Sequence, residues 1–288
     1  MISRVFVANL ATTASIVPPS IISNSNSTRR FLVISSLLST STSIYNKRMS
    51  SSNSSSASSS SSASRPITLG IAGGTGAGKT TLARAVFKEL GGSANCVYLT
   101  HDHYYKDLSH LPPEERAKTN FDHPDSLETD LLVEHIKLLK KGETAVLPTY
   151  DFKTHSRTPV TTLVHPKCII IVEGILLFTH PELCSELDLK VFVDAASDTR
   201  VVRRIRRDTV ERGRTLDSIM KQYEATVKPM HAAWVEPSKP RADVVINAET
   251  DYSQRISVQV LSNHMRAASG LSSINDSDNG DGGGSDDP

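Results

Sequence analysis

Acidic residues are missing from the first 64 positions, and the first in the whole chain is Glu89. Cysteine is scarce as well: Cys96, Cys168 and Cys184 lie far apart and form no CxxC pair. A scattered, odd-numbered set excludes a disulfide framework and a paired-cysteine zinc site, and it suits a reducing compartment. No run approaches the roughly 18 apolar residues that a membrane span requires, so no membrane partner is expected. Charge of either sign is barely in excess, with a formal net of +1 over 288 residues. That balance leaves no electrostatic footprint for a general nucleic-acid binder.

What the first 64 residues do contain is serine in tracts, together with Arg4, Arg29, Arg30, Lys47 and Arg48. An acid-free, Arg- and Ser-rich segment has the composition of an organelle transit peptide. Import into a mitochondrion or plastid is one reading; a cytoplasmic form started at Met49 is the other. Residues 269–288 are the opposite, a Gly/Ser/Asn/Asp tail that ends Ser285-Asp286-Asp287-Pro288. Neither end has enough apolar surface to offset its ordering entropy, so both are expected to be disordered. Residues 65–268 remain, enough for one α/β domain.

Within that core, apolar runs alternate with helical periodicity. Pro66 to Ala72, Cys96 to Leu99, Cys168 to Val172, Lys190 to Val193 and Asp243 to Ile246 read as strands. Helices fit Thr80 to Leu90, Leu127 to Leu139, Asp198 to Glu211, Leu216 to Val227 and Tyr252 to Met265. Val146 to Phe152 and Pro159 to Val164 pair as a hairpin across Lys153 to Thr158. Alternating strands and helices imply a mostly parallel sheet covered on both faces.

The sharpest chemical signal is Gly73-Gly74-Thr75-Gly76-Ala77-Gly78-Lys79-Thr80, followed by Thr81. It matches G-x-x-x-x-G-K-[ST] and lies between a buried strand and an amphipathic helix, where a P-loop must lie. Its glycines let backbone N–H groups curl around a phosphate, and the helix N-terminus adds a positive end. Lys79 can reach the β- and γ-phosphates, and the Thr80 hydroxyl can ligate Mg²⁺. Asp102 follows the second strand and Glu173 the most apolar one, so both belong at the same carboxyl edge as the P-loop. A carboxylate there can take a proton from an attacking hydroxyl or hold Mg²⁺. Either acid alone could merely cap a helix; two beside a P-loop point to phosphoryl transfer. Arg200, Arg203, Arg204, Arg206, Arg207, Arg212 and Arg214 crowd a short stretch. That density repels itself unless anionic oxygens lie opposite.

Six blocks in order resemble the uridine kinases (uridine-cytidine kinases). They are the P-loop; Asp102-His103-Tyr104-Tyr105-Lys106-Asp107; Thr119 to Asp125; Tyr150-Asp151-Phe152 with His155-Ser156-Arg157; Glu173-Gly174-Ile175-Leu176; and Arg207-Asp208 through Arg214 to Gln222-Tyr223. The resemblance runs from Ile67 to about Ile246. It implies a P-loop NTPase-type three-layer α/β fold with a small β-hairpin substrate lobe and a helical lid. It implies phosphorylation of uridine and cytidine at the 5′-hydroxyl, with ATP or GTP as donor and Mg²⁺ as cofactor. By the same resemblance Asp102 is the general base, Asp122 grips the ribose hydroxyls with Arg204, and Tyr150, Phe152 and His155 form the pyrimidine pocket. Phe121 flanks that pocket, Arg214 and Gln222 read the base edge, and Arg207 and Arg212 face the phosphates. A homotetramer is implied too.

The chain departs from the family pattern at Asn247-Ala248-Glu249-Thr250, where relatives usually carry a Pro-Arg-Gly turn beside the donor. Phosphoribulokinase and pantothenate kinase are rivals on the same scaffold, but a sugar phosphate needs no aromatic wall. A catalytically idle nucleotide-binding regulator would have lost Lys79, Asp102 or Glu173, and all three are present.

Overall fold

The computed structural model describes residues 65–271 apart from Ala117. The expected transit segment at 1–64, and the tail beyond residue 271, lie outside the described residues. Seven strands are present among those described: β1 (Ile67–Gly73), β2 (Cys96–Thr100), β3 (Ala145–Asp151), β4 (Ser156–Val164), β5 (Ile169–Glu173), β6 (Leu189–Asp194) and β7 (Val244–Asn247). Helices of six residues or more are α1 (Lys79–Glu89), α2 (Thr129–Lys140), α3 (Pro181–Glu186), α4 (Ser197–Val210), α5 (Leu216–Gln222) and α6 (Asp251–Ser269). Five strands form a parallel sheet in the order β2-β5-β1-β6-β7, and β3 and β4 form a separate antiparallel hairpin.

The β5 sequence shows why the sheet has two covers. Ile169, Ile170, Ile171 and Val172 are all fully buried. Alternate side chains point to opposite faces of a strand. Ile169 and Ile171 therefore join Leu82 and Val86 of α1 and Leu261 and Met265 of α6. Ile170 and Val172 face the other way, onto Leu132, Ile136 and Leu139 of α2 with Phe178 and Phe192. A strand buried on both faces reads as a continuous apolar run, and this one does. The three-layer α/β fold follows. No helix among the described residues is long and apolar enough to cross a membrane.

Register decides where the chemistry goes. Ile71 and Thr100 both sit opposite Glu173, and Gly73 sits opposite Val193. The carboxyl ends of β1, β2 and β5 thus finish together at one edge, beside the point where connections diverge to opposite sides of β1.

Two local expectations change. The hairpin turn is tighter than Lys153 to Thr158, because β4 already starts at Ser156 and Phe152 belongs to the turn. Asp151 closes it early: its carboxylate accepts from the Lys153 N–H at 2.9 Å and the Thr154 hydroxyl at 2.9 Å. That is the side-chain-to-backbone bonding that makes Asp a turn residue. Pro159, which has no N–H to give a ladder, falls in the irregularity where the register jumps between Pro148 and Thr149.

The helix expected to end at Val227 instead continues. Two π-helical turns, Tyr223–Val227 and His231–Val235, alternate with short α-helical ones, and a 3-10 turn, Lys239–Arg241, ends the rod. Pro229 and Pro237 each fall in the first turn of the α-helical segment that follows a π turn. A proline there forfeits no bond that its predecessor needed, and the wide turn absorbs its ring. Helix α6 also runs past Met265 to Ser269, where Gly270 at φ 72° ends it and Leu271 packs back on the core.

Candidate active site

The P-loop connects β1 to α1. Gly76 (φ 74°) and Gly78 (φ 99°) take left-handed backbone, and a Cβ on Gly76 would collide with the carbonyl of Arg200. Only glycine suits that position. Lys79 begins α1 and is buried. One residue on, the Thr80 hydroxyl donates to both oxygens of Glu173, at 3.1 and 3.2 Å. Burial pushes the Glu173 carboxyl above its ordinary value, and the Lys79 charge opposes the shift. Thr81 lies in the first turn of the helix and is exposed.

Asp102 sits in a 3-10 turn, His101–Tyr104, directly after β2. Its Oδ1 is buried and has no hydrogen-bond partner. The Asp102 charge helps to raise both the Glu173 and the Asp122 carboxyls, so it is close enough to act on each of them. His101, next to it, is 1% exposed and holds Thr129 Oγ1 at 3.0 Å through Nε2. Burial pulls that imidazole down to about 4, with the Asp102 charge opposing. Gly174 leaves room for it, since a Cβ there would lie 2.5 Å from the Cβ of His101.

Asp122 lies across the cleft, bound at 3.4 Å by the Thr226 hydroxyl of the π-helical rod. Burial raises its carboxyl, and the Arg204 guanidinium works against that. Beside it runs a chain of rings. Phe121 and Tyr105 meet edge-on at 5.2 Å, Tyr105 and Tyr150 tilt at 5.2 Å, and Tyr150 and Phe152 meet edge-on at 5.3 Å. His155 stacks on Phe121 at 4.9 Å, 15° from parallel. It does so from a strained backbone, φ 50°, at the end of the hairpin turn. The Tyr150 hydroxyl is buried without a partner. An aromatic wall with a few free polar atoms is what a flat heteroaromatic ring needs.

Phe121, Tyr150, Phe152 and His155 are thus brought into one run of rings, and two residues that were not singled out join them. Tyr105 is the central ring of the wall, and His103 approaches Phe152 at 6.4 Å. Their signal lay in the run of aromatic and histidine residues directly after β2, His101 to Tyr105.

The arginines divide. Arg204, Arg207, Arg212 and Arg214 gather around the buried carboxylate of Asp208. Arg204 also donates to Thr75 Oγ1 at 3.1 Å and to Gln222 Oε1 at 2.8 Å, and Arg214 reaches the same Gln222 oxygen at 2.6 Å. Arg200 is buried beneath the P-loop, held by the Ala195 carbonyl at 3.1 Å and His231 Nε2 at 3.1 Å. Arg203 ties down the carbonyls of Ala248 and Glu249 at 3.0 and 3.3 Å. Arg206 is exposed. Those last three, none of them named as a site residue from the resemblance, take structural or solvated places: two brace backbone and one meets solvent.

Residues 68–253 match the model of the phosphoribulokinase / uridine kinase family. A uridine kinase of Chloroflexus aurantiacus is 52% identical over 180 residues, 62% of this chain and 86% of the relative. One from Bacillus cereus is 48% identical over 183 residues, 64% of this chain and 86% of the relative. The chain belongs to this family. At the level of fold, a solved structure from Silicibacter sp. TM1040, labelled a fructose transport system kinase, superposes with a TM-score of 0.52 at 19% identity, covering 65% of this chain and 92% of that one.

The family match spans every element that carries a site residue, from β1 to the segment after β7. At Asn247 to Thr250, where the chain departs from the family's usual turn, the backbone is secured by two side chains. Gln254 Nε2 donates at 3.2 Å to the same Ala248 carbonyl that Arg203 holds, and Gln254 lies against Gly78 of the P-loop. Among the described residues, no three His, Cys, Asp or Glu side chains form a ready cage for a metal ion.

Proposed function

We propose that this family member transfers the γ-phosphate of ATP to the 5′-hydroxyl of uridine or cytidine, giving UMP or CMP. The observation that carries the reading is the unpartnered, buried Oδ1 of Asp102. Its carboxylate is near enough to act electrostatically on both Glu173, which holds the P-loop Thr80, and Asp122 beside the aromatic wall. A buried acceptor without a donor is costly, and an incoming hydroxyl satisfies it.

Asp102 takes the proton of the 5′-hydroxyl as that oxygen attacks the γ-phosphorus, and the bond from γ-phosphorus to the β–γ bridging oxygen breaks to release ADP. Lys79 and the P-loop N–H groups hold the phosphates, while Arg207 and Arg212 offer positive charge to the oxygens that gain it. Asp122 grips the ribose hydroxyls with Arg204 beside it. The rings of Phe121, Tyr150 and Phe152, with His155, enclose the base, and Arg214 and Gln222 read its edge.

The donor set suits Mg²⁺, a hard cation that takes oxygen ligands and keeps several waters. Thr80 and Glu173 already share an oxygen-only contact, and Asp102 has a free oxygen nearby. Thr80 and Glu173 would hold the ion, with Asp102 reaching it only through a water, and the ion would spread the negative charge of the β- and γ-phosphates.

The test is a coupled ADP-release assay with Mg·ATP and uridine, cytidine, ribulose 5-phosphate or pantothenate supplied separately. Turnover with the pyrimidine nucleosides alone is expected. Turnover with either of the other acceptors would overturn the pocket assignment, and no turnover with any would overturn the enzymatic reading.

A further inference from the structure

Asp208 lies on α4 with no exposed surface, although it belongs to neither the phosphate cradle nor the aromatic wall. Arg207 donates to its Oδ1 from Nε at 2.8 Å and lies 2.7 Å from the same oxygen at Nη2. Arg212 Nη1 stands 3.5 Å from Oδ1. On the other oxygen, Oδ2, Arg204 Nε stands at 3.7 Å and Arg214 Nη1 at 3.5 Å. One carboxylate cannot neutralise four guanidinium groups. What it does is fix their mutual positions, since each is measured from the same two atoms.

Those four cations serve different parts of the cleft. Arg204 reaches Thr75 in the P-loop and its charge acts on Asp122. Arg214 shares Gln222 with Arg204. Arg212 lies over the Phe152 ring at 5.7 Å. The node is also incomplete. Asp208 Oδ2 and Arg204 Nε are both buried without a hydrogen-bond partner. A shift of about 1 Å would bring that pair into bonding range, where N–H···O distances fall near ~2.9 Å. Two arrangements of the same contact are what a coupling element requires.

We infer that Asp208 is a positioning residue that couples nucleoside binding to the placement of Arg207 and Arg212. The inference rests on the kinase reading above. A ribose held by Asp122 draws on Arg204, Arg204 shares its carboxylate with Arg207 and Arg212, and each substrate therefore alters the free energy of binding the other. A carboxylate that only diluted like charge would weaken the fold when removed and leave that mutual effect intact.

The experiment measures uridine affinity of the full chain with and without a non-hydrolysable Mg·ATP analogue, for wild type and Asp208→Asn, together with kcat. Wild type is expected to bind uridine on the order of fivefold more tightly with the analogue present. In Asp208→Asn that ratio falls towards one and kcat drops about 100-fold, the scale of a small misplacement of catalytic groups. If Asp208→Asn does not fold, Asp208→Glu replaces it: the charge stays, the two oxygens are displaced from the four guanidinium groups, and the same ratio is expected to fall. An unchanged ratio in the variant that folds overturns the coupling role. Wild type that phosphorylates uridine but shows no ratio overturns this inference alone, whereas wild type that phosphorylates no nucleoside overturns the kinase reading with it.

Discussion

Around the P-loop, atoms are placed by backbone; across the cleft they are placed by side chains. On the donor side, Gly76 and Gly78 fix the loop by their left-handed torsions, and Thr80 is already bonded to Glu173. On the acceptor side, Asp102 Oδ1, the Tyr150 hydroxyl, Arg204 Nε and Asp208 Oδ2 are buried and unpartnered. Each such atom costs about 1–3 kcal/mol when nothing answers it. The donor half has its Thr80–Glu173 contact already formed, although Arg203 Nη1 and His231 Nδ1 beside the loop are also unpartnered, whereas the acceptor half presents Asp102 Oδ1 and the Tyr150 hydroxyl to an incoming nucleoside.

The largest effect that can break this comparison is at Asp102, whose charge acts on both halves. Asp102→Asn keeps the shape but removes the proton acceptor. We expect kcat to fall about 10³-fold, within the usual range for general-base loss, with donor affinity little changed. Single-turnover kinetics and donor titration read the two separately. Wild-type turnover would remove Asp102 as base, and a parallel loss of donor affinity would show that the halves are not separable.

Next in size is a pH effect at His101. Its folded value of about 4 lies below the ordinary 6.5, because burial disfavours the charged ring. Above pH 6.5 the ring is neutral folded or unfolded and contributes no pH dependence. As pH falls from 6.5 to 4, the unfolded chain binds a proton that the folded one refuses, so stability is lost across that window. The shift corresponds to about 3 kcal/mol at most. Glu173 and Asp122 act in the opposite sense, since burial raises both and protonation relieves it. His101→Gln, which can keep the bond to Thr129, should flatten the acid limb of a thermal-unfolding profile. An identical limb in wild type and variant would refute a buried neutral His101.

The two halves also differ in how far the sequence reveals them. The P-loop is local: eight consecutive residues dictate their own torsions, and the apolar run ahead of them fixes the strand. The strand-end acids were legible for the same reason, because the Ile169–Val172 run locates β5 and Glu173 must follow it. Asp208 was not legible as a centre. Counting charge along the chain makes it one neutralising neighbour, and only the return of the chain through Arg212 and Arg214 buries it among four cations. The rod beyond Val227 was not legible because Pro229 and Pro237 interrupt ordinary helical propensity there, and wide π turns are set by tertiary packing rather than by local propensity. The hairpin turn was misplaced because Asp151 bonds its own turn early, an effect of two hydrogen bonds that hydropathy does not register.

The smallest expected change sharpens the acceptor half. Asp122→Ala removes the carboxylate that Thr226 and Arg204 hold in place. Uridine affinity should weaken about 10- to 100-fold, the cost of one or two lost hydrogen bonds to a charged group. Discrimination against 2′-deoxyuridine should shrink in the same variant, because a site that no longer bonds the ribose hydroxyls has nothing left unpaired when one is missing. Donor affinity should hold. The wild type carries a signature of its own: because burial raises the Asp122 carboxyl, uridine binding should start to weaken at a higher pH than an ordinary carboxylate would give, and that limb should vanish in the alanine variant. Unchanged uridine affinity, or preserved rejection of the deoxynucleoside, would place the ribose contact elsewhere.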